Sequence, residues 1–186
     1  MVDLTHLVWD DSCTYGSLLG MLTKSKTTYK DDATWFYKMS RMQGSHVVGY
    51  ESIMEYIVSR YLDILQIPHV QYELIYALVK VHNKEIRTWL CRSKNYCGSM
   101  EAISIQDYCN DKLKAEHTII KEFGRNYLDI IYLVDFLICN TDRHGHNIEI
   151  IKTDEGKHLA PLFDHGCSLL YWAPNENSVV GYDVMS

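Results

Sequence analysis

Apolar positions recur at different periods along this chain. Residues 18–22 (Leu-Leu-Gly-Met-Leu) and 35–39 (Trp-Phe-Tyr-Lys-Met) are apolar or aromatic, and the polar stretch 23–32 lies between them. That pattern predicts a loose hairpin of two strands. Gly44 and Gly49 bracket a turn. Over residues 50–65 the period lengthens. Ile53, Ile57, Tyr61 and Leu65 recur every four residues, with Met54, Val58 and Leu62 widening the stripe, so the spacing predicts an amphipathic helix that Pro68 ends. Residues 70–81 and 86–91 are β-branched and aromatic, and His82-Asn-Lys-Glu85 joins them as a second hairpin.

Helical spacing returns over residues 103–123, in one run or two, with Gly124 as the stop signal. Residues 128–139 are apolar nearly all round, the pattern of a helix buried on all sides. A polar segment, 140–147, follows. Next comes the clearest hairpin, with strands at 148–152 and 158–163 around the turn Thr153-Asp-Glu-Gly156. The tail from Tyr171 is weakly patterned. The predicted fold is α+β with two lobes. A β-rich N-lobe, residues 1–95, carries the helix at 50–65. A mainly helical C-lobe, residues 96–186, carries the loop 140–147 and the hairpin 148–163.

Composition narrows the function classes. The chain has 186 residues, of which 47% are apolar and 23% charged, enough for one domain or two small lobes with a real core. The net charge of −6 supplies no basic field, so direct nucleic-acid binding is not expected. The first residues include Asp3, His6, Asp10 and Asp11 and do not resemble a secretory leader. The longest nearly apolar run, 130–139, is broken by Asp135 and is too short to span a bilayer. The six cysteines, at 13, 91, 97, 109, 139 and 167, are spaced widely, as reduced thiols are. The expectation is a cytoplasmic protein with no membrane association.

The chemistry concentrates in Asn140-Thr-Asp-Arg-His-Gly-His-Asn147 and in Phe163-Asp-His-Gly166. A hairpin between Asn147 and Asp164 brings its two ends together, so an amide oxygen and a carboxylate should stand side by side. Magnesium takes oxygen ligands and commonly uses one or two carboxylates, with phosphate oxygens and water completing its shell. Asp142, in the same loop, can face the site without binding metal and accept a proton from an attacking hydroxyl. Asp-x-x-x-x-Asn, a hairpin and then Asp-x-Gly is the order of the protein-kinase catalytic core.

The string Thr141-Asp-Arg-His-Gly-His-Asn147, with Leu159-Ala-Pro-Leu-Phe-Asp164 downstream, resembles the HipA-like kinases. Its Asp-Arg-His-x-x-Asn loop is shared with phosphoinositide kinases. Trp35-Phe-Tyr-Lys-Met-Ser40, Gly49-Tyr-Glu-Ser-Ile-Met-Glu55 and Ser59-Arg-Tyr-Leu-Asp-Ile-Leu65 favour the HipA-like family, and the resemblance runs from about Gly16 to Leu170. It implies a serine/threonine protein kinase that uses ATP and magnesium. Lys38 would hold the α- and β-phosphates, and Glu55 would pair with it, with Glu51, one turn earlier, as the second choice. Asp142 would be the catalytic base, Asn147 and Asp164 the magnesium ligands, and Arg143 and His144 would brace the loop. Tyr15-Gly-Ser-Leu-Leu-Gly20 would cover the phosphates, with Ser17 contacting one of them.

The implied partners are a protein substrate and an antitoxin-like or C-lobe-completing protein, since the chain ends soon after Asp164, at Ser186. The competing functions are a lipid kinase and a non-catalytic nucleotide- or partner-binding module. A zinc site at His144, His146, His158, His165, Cys139 and Cys167 ranks below them, because no Cys-x-x-Cys pair exists. Asp135 reads as structural, bonding the backbone of the loop ahead.

Overall fold

The computed structural model describes residues 1–9, 22–29, 33–109, 114–173 and 177. The first lobe is built on a five-stranded sheet in the order β1-β6-β7-β3-β2. Its strands are β1 (Val2–Leu4), β2 (Lys24–Thr28), β3 (Thr34–Met39), β6 (Tyr72–Val81) and β7 (Lys84–Lys94). Two short strands, β4 (Met42–Gln43) and β5 (His46–Val47), form a separate hairpin. All pairings in the large sheet are antiparallel except β1 with β6.

The first hairpin differs from its sequence reading. β3 pairs with Lys24–Thr28, inside the polar stretch read as a connection, while residues 18–21 lie outside the described set. The sequence Lys-Ser-Lys-Thr-Thr hides a strand because only its Ser25 face is buried. Along β3 the alternation is normal: Tyr37 and Met39 enter the core with Ala77, Val79, Val81 and Leu90, and Lys38 points to the opposite face. The β6–β7 hairpin turns at His82 and Asn83, both at positive φ (48° and 62°), the geometry of a two-residue primed turn.

Helix α1 (Glu51–Ile64) lies where the spacing puts it, but it buries a different stripe. Glu51, Ser52, Glu55, Val58, Ser59 and Leu62 are inside, whereas Ile57, Tyr61 and Leu65 are more than a third exposed. Polar residues occupy the buried side because it faces the site described below. The apolar period therefore selects a neighbouring face. Glu51 sits in the first turn, where a carboxylate complements the helix dipole, and its Oε2 accepts the Arg41 N–H at 3.0 Å.

The second lobe opens with β8 (Glu101–Ser104), so residues 103 and 104 are strand rather than the start of a helix. Three helices follow: α2 (Ile105–Cys109), α3 (Ala115–Phe123) and α4 (Arg125–Leu137). Gly124, at φ 104°, closes α3, as its place in the sequence predicts. Strands β9 (Glu149–Thr153) and β10 (Gly156–Leu159) form the expected hairpin, and β8 adds to it in the order β10-β9-β8.

Helix α4 is not buried on all sides. Leu128, Ile131 and Val134 are inside, while Ile130, Leu133, Phe136 and Leu137 are exposed, Phe136 by 73%. No helix among the described residues is long and apolar enough to cross a membrane.

Two small cores join the lobes. Val58 and Leu62 of α1 pack with Val134 and Ile138 of the α4 end, and Val70, Tyr72 and Cys91 pack with Tyr96 and Phe163. Backbone bonds from the Val70 N–H to the Leu162 carbonyl (2.8 Å) and from the Leu162 N–H to the Pro68 carbonyl (3.1 Å) fix the contact. The buried stripe of α1 yields a direct test. Leu62→Ala should cost about 2–5 kcal/mol by emptying the inter-lobe core, and Ile57→Ala within about 1 kcal/mol, measured by urea denaturation. Equal losses would show that Ile57 is packed against protein.

Candidate active site

The centre of the site is a charge cluster drawn from three elements. Lys38 leaves β3 on the face opposite the sheet core and is only 14% exposed. Its ammonium donates to Glu55 Oε1 of α1 at 2.8 Å and to Asp164 Oδ1 after β10 at 2.7 Å. Of the two helix carboxylates that the sequence offered, Glu55 therefore meets Lys38, while Glu51 caps the Arg41 backbone. The other carboxylate oxygen of Glu55 accepts the backbone N–H of His165 at 2.9 Å. One buried side chain thus holds both the strand lysine and the Asp-His-Gly segment.

That segment is under geometric constraint. Asp164 has φ 61°, a left-handed conformation that aspartate tolerates better than most residues. Gly166 packs against the start of α1. A Cβ there would lie 3.1 Å from Glu51 Cβ and 3.5 Å from the Glu51 carbonyl, so a side chain would push the segment off the helix.

The loop 140–147 lies on the opposite side of Asp164. Arg143 braces it. Its guanidinium binds Asp135 of α4 at 3.0–3.2 Å, donates from Nη1 to the carbonyls of Asn147 (2.9 Å) and Phe163 (3.0 Å), and reaches His165 Nδ1 at 3.2 Å. Asp135 also takes the Asn140 side-chain amide at 2.8 Å, so it is structural, acting on side chains of the loop. His144 accepts the His146 N–H through Nδ1, which stiffens the next turn.

Asn147 is 5% exposed and donates Nδ2 to the Asp142 carbonyl at 2.9 Å. With its amide nitrogen anchored, its Oδ1 takes no hydrogen bond from a described residue, and neither does Asp164 Oδ2. Those two oxygens fit a hard cation that draws its other ligands from phosphate and water. Among the described residues no group of three or more His, Cys, Asp or Glu side chains is placed to hold a metal. Asp142 keeps its carboxylate free of close partners except for His144 Nε2 at 3.9 Å.

The electrostatics follow from burial and pairing. Burial alone would raise the Asp164 carboxyl, but the Lys38 ammonium outweighs it, aided by Lys24, and holds the group well below the ordinary carboxylate range. Burial works against a charged Lys38, yet Asp164 and Glu55 lift it well above an ordinary lysine. Glu55 is raised by burial and by Asp164, against Lys38. Burial also raises Asp142, with Asp164 adding to it and His144 opposing, the direction that suits a proton acceptor. Burial and Arg143 keep His165 neutral, consistent with a ring nitrogen that accepts from Arg143.

The structure therefore brings Lys38, Glu55 and Asp164 into direct contact and sets Asp142 and Asn147 beside them, on the loop that Arg143 ties to the Phe163 carbonyl. Ser17, Gly16 and Gly20 lie outside the described residues. Tyr72 was missed by sequence reasoning. Its ring stands 5.5 Å from the Lys38 ammonium and its hydroxyl lies 3.4 Å from the Asp164 N–H. Nothing in the alternation of β6 distinguishes it from a core tyrosine. Lys24, the cross-strand partner of Lys38, was also missed, because its stretch reads as a loop.

No protein-family model matches the chain, and no curated protein sequence does. Solved structures do. The Helicobacter pylori proinflammatory kinase CtkA superposes with a TM-score of 0.61 at 15% identity, over 92% of this chain and 62% of that one. HipA from the Shewanella oneidensis MR-1 toxin–antitoxin complex of HipA, HipB and operator DNA superposes with a TM-score of 0.51 at 15% identity, over 83% of this chain and 44% of that one. The chain thus has a HipA-like kinase fold and spans about three fifths of CtkA.

The depressed Asp164 carboxyl makes a pH prediction. Its contribution to stability is complete above the ordinary aspartate range, near pH 3.9, and is lost as pH falls below it. Denaturation midpoints should fall more steeply between about pH 4 and pH 2 for the parent than for Asp164→Asn. Parallel curves would mean that Asp164 is not held by Lys38.

Proposed function

We propose that this chain is an ATP-dependent, HipA-like serine/threonine protein kinase. The observation that carries the reading is the convergence of Lys38, Glu55 and Asp164 from three elements, with Asn147 and Asp142 on the loop beside them. The kinase-type fold supports it. In this reading the lobes divide near residue 95, into 1–95 and 96–186, and ATP lies in the cleft between them.

Lys38 contacts the α- and β-phosphates, and Glu55 and Asp164 keep it charged and aimed into the cleft. Asn147 Oδ1 and Asp164 would hold magnesium, which would supply charge neutralisation for the phosphates. Asp142 orients the acceptor hydroxyl. That oxygen bonds to the γ-phosphorus, the bond to the β–γ bridging oxygen breaks, ADP leaves with the electron pair, and the hydroxyl proton passes to Asp142. Catalysis rests on positioning and electrostatics rather than on a covalent enzyme intermediate.

A second reading, a module that acts only with a partner, is favoured by one observation. The exposed Ile130, Leu133, Phe136 and Leu137 form an apolar face on α4, and such faces mark packing surfaces. The partner would complete the C-lobe, and an antitoxin-like protein is the other candidate, since HipA assembles with HipB in the Shewanella complex. A cytoplasmic setting follows from the same reading.

Magnesium-dependent thermal stabilisation by ATP is the first check. The parent should gain stability with Mg-ATP, as a ligand bound only to the native state requires, and Asp164→Ala should gain almost none. An equal shift in both would remove Asp164 from the site.

The second check separates base from ligand. Asp142→Asn should lower autophosphorylation by roughly 10²-fold or more, while its Mg-ATP affinity stays close to that of the parent. A variant with the parental rate would take Asp142 out of the chemistry.

A further inference from the structure

We propose that the cavity at the start of β6 is a binding site for a small, singly charged aromatic anion of the aryl carboxylate class, separate from the cluster of Lys38, Glu55 and Asp164. The cavity has a volume of about 960 Å³, at the upper end of the roughly 300–1,000 Å³ typical of small-molecule sites. Its walls include Tyr56 and Arg60 of α1, Trp35 of β3, Tyr72 of β6, Lys94 of β7 and Tyr96 just beyond that strand. Lys38, Glu55, Asp142, Asn147 and Asp164 do not line it.

The sheet topology leaves this space open. β1 covers the outer edge of β6 at Ala77–Val79, and the Leu162 carbonyl covers it at the Val70 N–H. The stretch between them faces α1 with no strand against it among the described residues. It is not set up to take another strand, because the Tyr72 N–H already goes to Ser59 Oγ at 3.3 Å. The walls therefore fit a small molecule better than an extended peptide. They belong to a helix and to paired strands, so the hollow exists before a ligand arrives.

The chemistry of the walls selects the ligand. Four aromatic rings, Trp35, Tyr56, Tyr72 and Tyr96, offer flat apolar surface. The charges around them nearly cancel. Glu73 is taken by Arg92 at 2.7 Å, and Arg60 lies 3.1 Å from Asp63. Lys94 is left over: it has no carboxylate partner among the described residues, and its ammonium rests 5.3 Å from the centre of the Trp35 ring. One spare ammonium beside aromatic walls matches one carboxylate carried on a planar ring. A triphosphate, with several negative charges, would need a metal or further donors that these walls do not supply. The wall shared with the charge cluster is Tyr72, whose ring stands 5.5 Å from the Lys38 ammonium. A ligand seated here therefore packs on a residue that also touches the proposed active site.

The experiment is a titration of the intact chain with 1-naphthoate, followed by NMR, and with 2-naphthalenemethanol as the uncharged comparison. The parent should bind one naphthoate at about millimolar affinity or tighter. A charge-assisted contact is worth about tenfold, so the alcohol should bind about tenfold more weakly, and Lys94→Ala should lose about the same factor on naphthoate. Lys94→Arg should keep most of the affinity, and Lys94→Ala should leave the alcohol unaffected. Phe136→Asp, on the exposed face of α4, should change neither. Saturating Mg-ATP should leave one naphthoate bound. The assignment is overturned if the parent shows no saturable binding, if Lys94→Ala binds naphthoate as the parent does, if Phe136→Asp abolishes binding, or if Mg-ATP displaces the probe. A chain that takes naphthoate but no nucleotide would leave this site standing and remove the kinase reading.

Discussion

The structure hinges on the buried carboxylate of Glu55. A charge with no exposed side-chain surface is tolerated only when its oxygens are paired, because desolvation costs several kcal/mol per ion. Here one oxygen takes the Lys38 ammonium and the other takes the His165 backbone N–H. The sheet, helix α1 and the Asp-His-Gly segment are thereby fixed to one point. Breaking such a pair from one side typically costs about 3–5 kcal/mol, since the partner is left buried and unmatched. The same constraint explains the polar stripe of α1: Ser52 and Ser59 line the helix beside Glu55, and Ser52 Oγ donates to the Lys38 carbonyl at 3.1 Å.

Arg143 does for the second lobe what Glu55 does for the first. Its guanidinium has donors in a rigid planar fork, and they are satisfied by Asp135, by two backbone carbonyls and by the ring of His165. The two anchors meet at His165, whose backbone goes to Glu55 and whose side chain goes to Arg143. Asp164 is consequently held from both lobes in a left-handed conformation. Its Oδ1 is engaged by Lys38. That is preorganisation in a physical sense: the polar groups are oriented before any ligand arrives, and little reorganisation remains when charge develops.

The site also explains why its neighbourhood is electrostatically uneven. Burial pushes carboxyls up and ammonium groups down, and pairing pushes them back. At Asp164 and Lys38 the pairing wins; at Asp142, whose carboxylate forms no ion pair as close as that of Asp164, burial wins over the opposing charges of His144 and Arg143. Two neighbouring aspartates thus acquire opposite shifts, in the directions that fit the different roles proposed for them.

Local patterns in the sequence determined much of this. The hairpins at residues 72–94 and 149–159, the helix after Gly49 and the stop at Gly124 follow from alternation, period and turn residues. The proximity of Asn147 and Asp164 follows from the hairpin between them. What the sequence could not supply were the facts that depend on which surfaces meet. The strand Lys24–Thr28 has no apolar face of its own and exists because β3 offers it a hydrogen-bonding edge. The choice between Glu51 and Glu55 depends on which turn of the helix lies level with Lys38 along the sheet. The stripe that α1 buries is polar apart from Val58 and Leu62, so hydrophobic spacing found those two and missed the polar remainder. Helix α4 reads as buried because its apolar residues surround it, yet only the side facing α1 and the C-lobe core is covered. Periodicity records what a segment can bury, whereas the packing of distant elements decides what it does bury.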